Sequence, residues 1–547
     1  MSLLLTAIAL LLWSHSIVSA RFEIGYFGLI HGLPVSFFLA LAVLTTASGV
    51  LWASREASNR LMALQLLILL SALWLIPIIT GGSATYADHA YRNLGIADYI
   101  AQEGHFSLDS YFQWPGVFII TAVLGIVSTV NLEPILDAIP FIMQLLCLPF
   151  LYIFLRNTLG NHRSNLCWAG AWLFFLARWV GDSHLTPISL GCFLTLVLLA
   201  LVTTPLENRT SSQKFALWSL AIITFATLTI THLPTSIAAL AIIGLFSLAK
   251  RDRILVSATV VCCLLLLGWD FLGSGYMMDK LGVVTPGSLG SVNAFSGTGT
   301  VSVDAGATFD REAISFFSGS ESHTTMSKFK LGYSAMFAMI GLIGAIFACR
   351  TKARLVRAIP LLAISVAPLS MFIFSGNYDS LLGTRIYLYC LPGMAFFGAS
   401  LLDTRKKGAV AILCIFLIIA APLHVISLYG NQAQEYVPPG QVAGVHFFRE
   451  TTSLDLGELS VFPMSRRYTH ERLELMEQVD NYSPRYIWLT HQDSPWYDAV
   501  LNNQRLLDEH RQSLSSNPNH GLVYVNPDFT LYTRQARMPE AADQETQ

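Results

Sequence analysis

Charged residues are scarce in this sequence. Asp, Glu, Lys and Arg make up 12% of its 547 residues, and the formal net charge is −2. A chain without a basic excess lacks the electrostatic surface on which nucleic-acid binding depends, so we expect no nucleic-acid partner. Apolar residues account for 53% of the chain, and the mean hydropathy is +0.54. This composition excludes an ordinary soluble domain and indicates an integral membrane protein.

Several common catalytic and binding motifs are missing. The sequence has no P-loop, GxGxxG, HExxH or GxSxG, so nothing points to a nucleotide site, a zinc peptidase or a serine hydrolase. It also has no CxxC and no DxD pair, and its eight cysteines fall within or at the ends of apolar runs. We therefore predict no cofactor, and the sequence indicates no metal site.

Long apolar runs are what the sequence does contain. Runs of about 17 to 25 residues carry almost no charge, and each is long enough to cross a hydrocarbon core of about 30 Å. The first run is either a signal peptide that ends before Arg21 or a retained span; because a basic start is missing, we predict a retained span. The predicted spans are 2–20, 27–53, 61–80, 134–155, 166–180, 187–203, 215–231, 233–249, 254–272, 332–349, 358–375, 385–402 and 409–429.

Short basic connections predict the orientation of the chain. The segments 250–253, 350–357 and 403–408 are rich in Lys and Arg, and such loops stay in the cytoplasm. Every basic loop falls inside only if the apolar run 112–130 lies at the outer interface instead of crossing. This run begins FQWPG, and tryptophan is typical of an interface. We predict thirteen spans and one outward loop over 81–133; the alternative is an ordinary additional span at 112–130.

The chain divides into three parts by composition. Residues 1–60 form two leading spans, and 61–429 form a transmembrane core that includes a Gly-, Ser- and Thr-rich outer loop at 273–331. Residues 430–547 predict a small C-terminal extracytoplasmic α/β domain with a disordered end. Its expected elements are a helix (QVAGVHFFRET), a strand (RYIWLT), a second helix (WYDAVLNNQRLLDEH) and a hairpin (GLVYVN, PDF, TLYTR).

Four polar clusters at the outer ends of spans are candidate functional positions, because ionisable groups are costly near lipid. The first is Asp88-His89 with Arg92. A carboxylate at the membrane surface can act as a general base toward a hydroxyl group. The alternative is that Asp88 caps the helix that follows it.

The other three clusters lie in turns between spans. Asp182 and His184 belong to one turn, for which a purely structural turn is the alternative, and His232 lies in a second turn, where it is either catalytic or merely interfacial. Asp379 and Arg385 come before and at the start of a late span. An arginine at a helix N-terminus attracts phosphate, although it can also snorkel or pair with Asp379.

The order of these features resembles the GT-C superfamily of membrane glycosyltransferases. The resemblance rests on the acid in the first outer loop, the helix IADYIAQEG, the step YFQWP, the turns DSHLTP and THLPT, the phrase GTRIYLYCLPG and the closing GLVYVNPDFTLYTR. It covers residue 61 to the end; the two leading spans are not part of the usual core. The first loop carries Asp88-His89 where mannosyltransferase-like members have an Asp-Glu pair.

This resemblance implies a polytopic α-helical fold and an activity. A sugar would move from a polyprenyl-phosphate-linked donor to a hydroxyl of a glycan, lipid or protein acceptor, with inversion, on the extracytoplasmic face of the plasma membrane. Asp88 would be the base, and Arg385 would stabilise the departing phosphate. The loop 273–331 would act as a lid, and the tail domain would hold the acceptor. The substrate-binding residues implied are His89, Arg92, Asp182, His184, His232, Asp379 and Arg385.

Two alternatives from other classes remain open. A lipid-linked glycan ligase or polymerase would use a late outer loop with arginine and histidine, such as the segment from Arg311 to His323. A transporter or flippase would show a repeated hydropathy pattern, which is missing here, and acids within its spans. Asp137 is the one acid that we place within a predicted span, near the end of its helix.

Overall fold

The computed structural model is mostly helical and ends in a small sheet. It describes residues 1–25, 27–54, 58–80, 87–105, 114–160, 163–180, 184–206, 209–251, 253–274, 321–350, 352–371, 382–404, 407–430, 436–451, 458–460, 486–490 and 504–534.

The α-helices are numbered here in chain order. The first nine are α1 Ser2–Ser19, α2 Val35–Trp52, α3 Asn59–Trp74, α4 Ile76–Thr80, α5 Ala87–Glu103, α6 Gly116–Ser128, α7 Ile139–Leu159, α8 Ser164–Ala177 and α9 Pro187–Val202. The others are α10 Ser211–Thr229, α11 Leu233–Lys250, α12 Arg253–Gly268, α13 Glu321–Ala348, α14 Lys352–Val366, α15 Leu382–Ser400, α16 Lys407–Tyr429, α17 Pro439–Thr451 and α18 Gln504–Ser516.

Each predicted span has a helical counterpart in the structure. Within the described ranges, seven helices are long and apolar enough to cross a membrane, and several shorter apolar helices pack among them. The polytopic helical class is therefore confirmed, whereas the number of crossings stays a prediction. The starts of α11, α13 and α15 are joined to one another or to the end of α8 by the hydrogen-bonded pairs Thr235–Tyr389, Tyr333–Leu176 and Tyr387–Ala177. The far ends of these three helices, at Lys250, Ala348 and Ser400, therefore lie at one end of the bundle. The other end, where α5 lies, is called the α5 end below.

Helix α8 forms the centre of the bundle. Every residue from Ala169 to Ala177 is buried, because neighbouring helices surround it on all sides. The Trp172 ring meets that of Trp52 edge-on, with 5.7 Å between centroids. Gly170 leaves room for Leu155 of α7, since a Cβ there would stand 3.0 Å from the Leu155 side chain.

A buried polar network ties α1 to the core. The Gln65 amide on α3 donates to Ser2 and Thr6 of α1 at 3.0 and 2.8 Å. Its carbonyl oxygen accepts a hydrogen bond from Ser48 of α2 at 2.8 Å. A polar side chain in a bilayer must find such partners, so this network fixes the register of three helices.

Helices α5 and α6 form a pair at the α5 end. Helix α6 has 13 residues, too few to cross a bilayer upright, and it ends where Thr129 adopts a left-handed backbone conformation with φ of 54°. Its start is held against the α10–α11 turn, because the Gly116 N–H donates to the Ile230 carbonyl at 2.9 Å. Val127 is 77% exposed, as expected of a helix that faces lipid. Whether this helix lies at the outer interface or crosses as an additional span stays a prediction.

The C-terminal region contains a four-stranded sheet. Strand β1 (Glu458–Ser460) pairs in parallel with β2 (Tyr486–Thr490), which pairs antiparallel with β4 (Phe529–Arg534). Strand β3 (His520–Asn526) forms the other edge, and it makes the predicted hairpin with β4. Helix α17 packs on this sheet, as Gly444 against Phe529 shows.

The tail also contacts α5. Val445 and Phe448 of α17 and Leu531 of β4 share a buried apolar cluster with Ala90 and Leu94 of α5. In addition, His446 Nε2 lies 3.2 Å from Glu133 Oε1, at the start of a 3-10 turn that leads into α7. The tail domain is therefore attached to the helix that carries the first predicted cluster.

Two predicted segments are described only in part. The last residues of the predicted outer loop 273–331 belong to α13, which begins at Glu321 and continues to Ala348. The second tail helix, expected from Trp496, begins in the described part at Gln504 and continues to Ser516. The remainder of the predicted loop, 275–320, lies outside the described residues.

Candidate functional site at the α5 end

The first predicted cluster lies at the start of α5. Asp88 and His89 belong to the first turn of this helix, and Arg92 to the next turn. Their side chains lie outside the described part of the structure. The helix begins at Ala87, so Asp88 is inside the first turn. One turn later, the Asn93 amide donates to the Leu185 carbonyl at 2.7 Å, which fixes α5 beside the second predicted cluster.

His184 belongs to this neighbouring turn, and its side chain is 3% exposed. The turn is stiff, because the Thr186 hydroxyl accepts the Ser189 N–H at 3.2 Å and Pro187 opens α9. Asp182, two residues before His184, lies outside the described residues, as does Asp379.

His232 lies in the turn between α10 and α11. Its Nδ1 is 2.7 Å from the Thr235 hydroxyl, which is itself 2.8 Å from the Tyr389 hydroxyl on α15. Burial and the nearby positive charge of Arg385 lower the pKa of His232 well below its ordinary value. His232 is therefore neutral at pH 7, and one of its ring nitrogens can accept a hydrogen bond.

Arg385 belongs to the first turn of α15, which begins at Leu382. Tyr389, one turn further along α15, reaches Thr235 in the turn of His232, so this helix start faces that turn. The structure thus joins two of the predicted clusters, although they are far apart in sequence. A guanidinium group at a helix N-terminus is suited to bind a phosphate.

A buried lysine near this site was missed by the sequence analysis. Lys330 of α13 is 7% exposed, and its Nζ lies 5.5 Å from the centroid of the Trp179 ring. The Trp179 indole donates to Ser334 at 2.9 Å and lies 6.5 Å from the ring of Tyr387, two residues beyond Arg385. Lys330 was missed because we assigned it to the loop 273–331.

Two further charged residues were missed although they interrupt apolar runs. Arg178, at the end of α8, is 1% exposed and donates to the sulfur of Cys147 at 3.2 Å. Asp270 follows α12 and is 4% exposed. The sequence analysis named Asp137 as the one acid within a span, which was wrong, because Asp270 lies within the predicted span 254–272. A scan of each apolar run for single charges finds both residues.

These helices, with the small sheet at the C-terminus, define a GT-C-like fold. The crystal structure of ArnT from Cupriavidus metallidurans bound to undecaprenyl phosphate aligns with a TM-score of 0.50 at 10% identity, over 87% of this chain and 98% of that chain. The same enzyme in the apo state gives 0.50 at 11% identity, over 86% and 97%.

An oligosaccharyltransferase from Archaeoglobus fulgidus, tethered to an acceptor peptide, aligns with a TM-score of 0.47 at 12% identity, over 87% of this chain and 74% of that chain. No protein-family model matches the sequence, and no curated protein matches it in sequence. At these identities the comparison establishes the fold alone.

Proposed function

We propose that the protein is a membrane glycosyltransferase. It transfers a sugar from a polyprenyl-phosphate-linked donor to an acceptor hydroxyl, and it inverts the anomeric carbon. The observation that carries this proposal is the hydrogen-bonded link from the His232 turn through Thr235 to Tyr389, one turn beyond Arg385, at the end of the bundle where α5 carries Asp88. The GT-C-like fold supports it, since the ArnT structure of that fold was determined with undecaprenyl phosphate bound.

Each group has a distinct task in this mechanism. The Asp88 carboxylate removes the proton of the acceptor hydroxyl, whose oxygen attacks the anomeric carbon from the face opposite the phosphate. The bond between the anomeric carbon and the phosphate oxygen breaks, and the lipid phosphate leaves with the bonding electrons. Arg385 stabilises the negative charge on that phosphate, an effect of a few kcal/mol. His89, Asp182 and His184 orient the hydroxyl groups of the sugar.

We assign the remaining candidate residues to the same site. Arg92 and Asp379 contribute to binding of the donor, and His232 accepts a hydrogen bond from it. Lys330 adds a second positive charge. Its Nζ lies over the Trp179 ring, which in turn neighbours the ring of Tyr387, two residues beyond Arg385. Two cations near one phosphate match the charge of a lipid monophosphate.

Sugar transfer is tested directly with purified protein in lipid nanodiscs. The donors are polyprenyl phosphates that carry glucose, mannose, galactose or arabinose, and formation of free polyprenyl phosphate is measured. We expect the wild type to consume at least one donor and Asp88→Asn to lose at least a thousandfold in rate. Asp98→Asn, on the same helix, is the matched control and should keep wild-type turnover. Equal turnover in Asp88→Asn and Asp98→Asn would show that a residue other than Asp88 is the base.

The orientation of the site has its own test. A cysteine at Ala87 is treated with a membrane-impermeant maleimide on intact cells, with Thr210→Cys at the opposite end of the bundle as control. The proposal requires labelling at position 87 and protection at 210 until the cells are permeabilised. The reverse pattern would place the site in the cytoplasm and contradict an external reaction.

A further inference from the structure

Asp270 is a buried acid that the mechanism above does not use. It is the one acidic side chain in the sequence between Arg253 and Ser274, and it is 4% exposed. Placing a carboxylate in such surroundings costs several kcal/mol unless it is paired. A side chain with no function at this position is therefore unexpected.

The local backbone does not satisfy the Asp270 carboxylate. Residues Trp269–Gly273 form one turn of π-helix, a local widening that is common at functional sites. The Ser274 N–H donates to the Trp269 carbonyl at 2.8 Å, and the Ser274 hydroxyl to the Asp270 carbonyl at 3.4 Å. Both bonds go to backbone oxygens. The carboxylate oxygen Oδ1 has no hydrogen-bond donor among the residues that the structure describes.

Trp114 lies beside this carboxylate. It precedes α6, whose start is fixed against the α10–α11 turn by the bond from the Gly116 N–H to the Ile230 carbonyl. Gly116 is in such close contact with Thr231 that a Cβ at this position would overlap the threonine hydroxyl. Asp270 and Trp114 therefore lie near the α10–α11 turn, which carries His232.

We propose that Asp270 and Trp114 form a subsite that binds the transferred sugar, an inference that rests on the proposed function. An ionised carboxylate only accepts hydrogen bonds, and sugar hydroxyls donate them. The indole supplies a flat apolar surface for a pyranose or furanose ring. A sugar hydroxyl that donates to Oδ1 offsets the free-energy cost of burying this oxygen without a hydrogen-bond donor.

Hydroxyl donors fit this site better than a divalent cation does. Calcium takes six to eight oxygen ligands, and magnesium takes six. In the described ranges no group of three or more His, Cys, Asp or Glu side chains is placed to hold a metal ion.

The test separates the sugar from its lipid. Affinities in nanodiscs are measured for sugar-free polyprenyl phosphate and for the polyprenyl-phosphate sugar that the wild type consumes. We expect Asp270→Asn to weaken binding of the sugar-bearing lipid by about 10- to 100-fold, the effect of losing a hydrogen bond to a charged group, and to leave sugar-free lipid unaffected. Asp137→Asn is the matched control, with both affinities unchanged.

Deoxy sugars identify the hydroxyl group involved. The wild type should reject one donor that lacks a single hydroxyl, and Asp270→Asn should treat that donor and the parent donor alike. If Asp270→Asn does not fold, the same affinities and the same donor discrimination are measured in Trp114→Phe, which keeps an aromatic ring at this position.

Two results overturn parts of this scheme separately. If Asp270→Asn keeps wild-type affinities and wild-type discrimination, the subsite is wrong while the glycosyltransferase proposal stands. If the wild type consumes no polyprenyl-phosphate sugar and binds none, the proposed function fails and the subsite fails with it.

Discussion

The hydroxyl of Tyr389 shares a hydrogen bond with the hydroxyl of Thr235, with 2.8 Å between the two oxygens. This bond joins α15 to the start of α11, and it connects the turn that carries His232 to the helix that carries Arg385. This buried contact therefore helps to fix the mutual position of the imidazole and the guanidinium.

Removing that contact should impair turnover more than folding. In Tyr389→Phe we expect kcat/KM for the polyprenyl-phosphate sugar to fall about fivefold, which corresponds to a hydrogen bond of about 1 kcal/mol. Tyr429→Phe removes a comparable buried bond, from the Tyr429 hydroxyl to the Leu73 carbonyl, away from Arg385. Tyr429→Phe should have a melting temperature similar to that of Tyr389→Phe, but it should keep the wild-type kcat/KM. Equal losses in both variants would show only general destabilisation.

The lowered pKa of His232 predicts a pH-dependent stability. In the unfolded chain histidine titrates near its ordinary value of 6.5, whereas folded His232 titrates well below it. Below pH 6.5 the unfolded state thus binds more protons than the folded state. The contribution of His232 to the free energy of unfolding is therefore complete above that pH and decreases as the pH falls. We expect the melting temperature of the wild type to drop more between pH 7.5 and 5.5 than that of His232→Gln. Parallel curves would contradict this assignment.

Lys330 should contribute to phosphate binding. Lys330→Met removes the buried charge and retains the length of the side chain, so affinity for sugar-free polyprenyl phosphate should fall about tenfold while thermal stability is maintained or improved. Lys328→Met, at an exposed position on the same helix, is the control. Unchanged affinity in Lys330→Met would assign this lysine a purely structural task.

The Gln65 network predicts a non-additive pair of substitutions. Gln65→Leu leaves the Ser48 hydroxyl without its acceptor, and we expect destabilisation of about 1 kcal/mol in detergent unfolding. Gln65→Leu combined with Ser48→Ala should recover part of that loss, because both partners are then apolar. A double variant that is as unstable as the sum of the single variants would argue against direct coupling.

The tail domain should stabilise α5. Phe448 is 1% exposed and packs in the cluster with Tyr91 and Leu94, so Phe448→Ala creates a cavity that costs about 3 to 5 kcal/mol locally. Hydrogen exchange should accelerate in residues 90–101 and remain slow in α8. Val525→Ala, on the exposed edge of β3, should change neither segment.

Much of the fold could be predicted because the bilayer limits the possible structures. Apolar runs of sufficient length must become helices, and the hairpin around Pro527 follows from alternating strands on either side of a turn. Contacts between distant segments could not be predicted. The parallel pairing of β1 with β2 and the contact of α17 with α5 depend on shape complementarity that periodicity does not encode.

The candidate site was predictable only in part, for a similar reason. His232 and Arg385 stood out because polar groups in short turns are visible against apolar runs, and the structure brings them together. Lys330 was missed because the start of α13 was misplaced. Asp270 was missed because it lies two residues before the end of the predicted span 254–272, where a charged side chain is common. How deeply each charge is buried depends on the packing of several helices, which a single sequence does not reveal.

The bond between His446 and Glu133 spans 313 positions of the chain. During biosynthesis the ribosome must therefore complete the whole bundle before α5 acquires its final neighbour. A newly made polypeptide arrested before α17 can be fully inserted in the bilayer and still lack the packing of α17 against α5. Quality control that surveys only membrane insertion would pass such a product, whereas a protease that recognises a loose α5 would remove it.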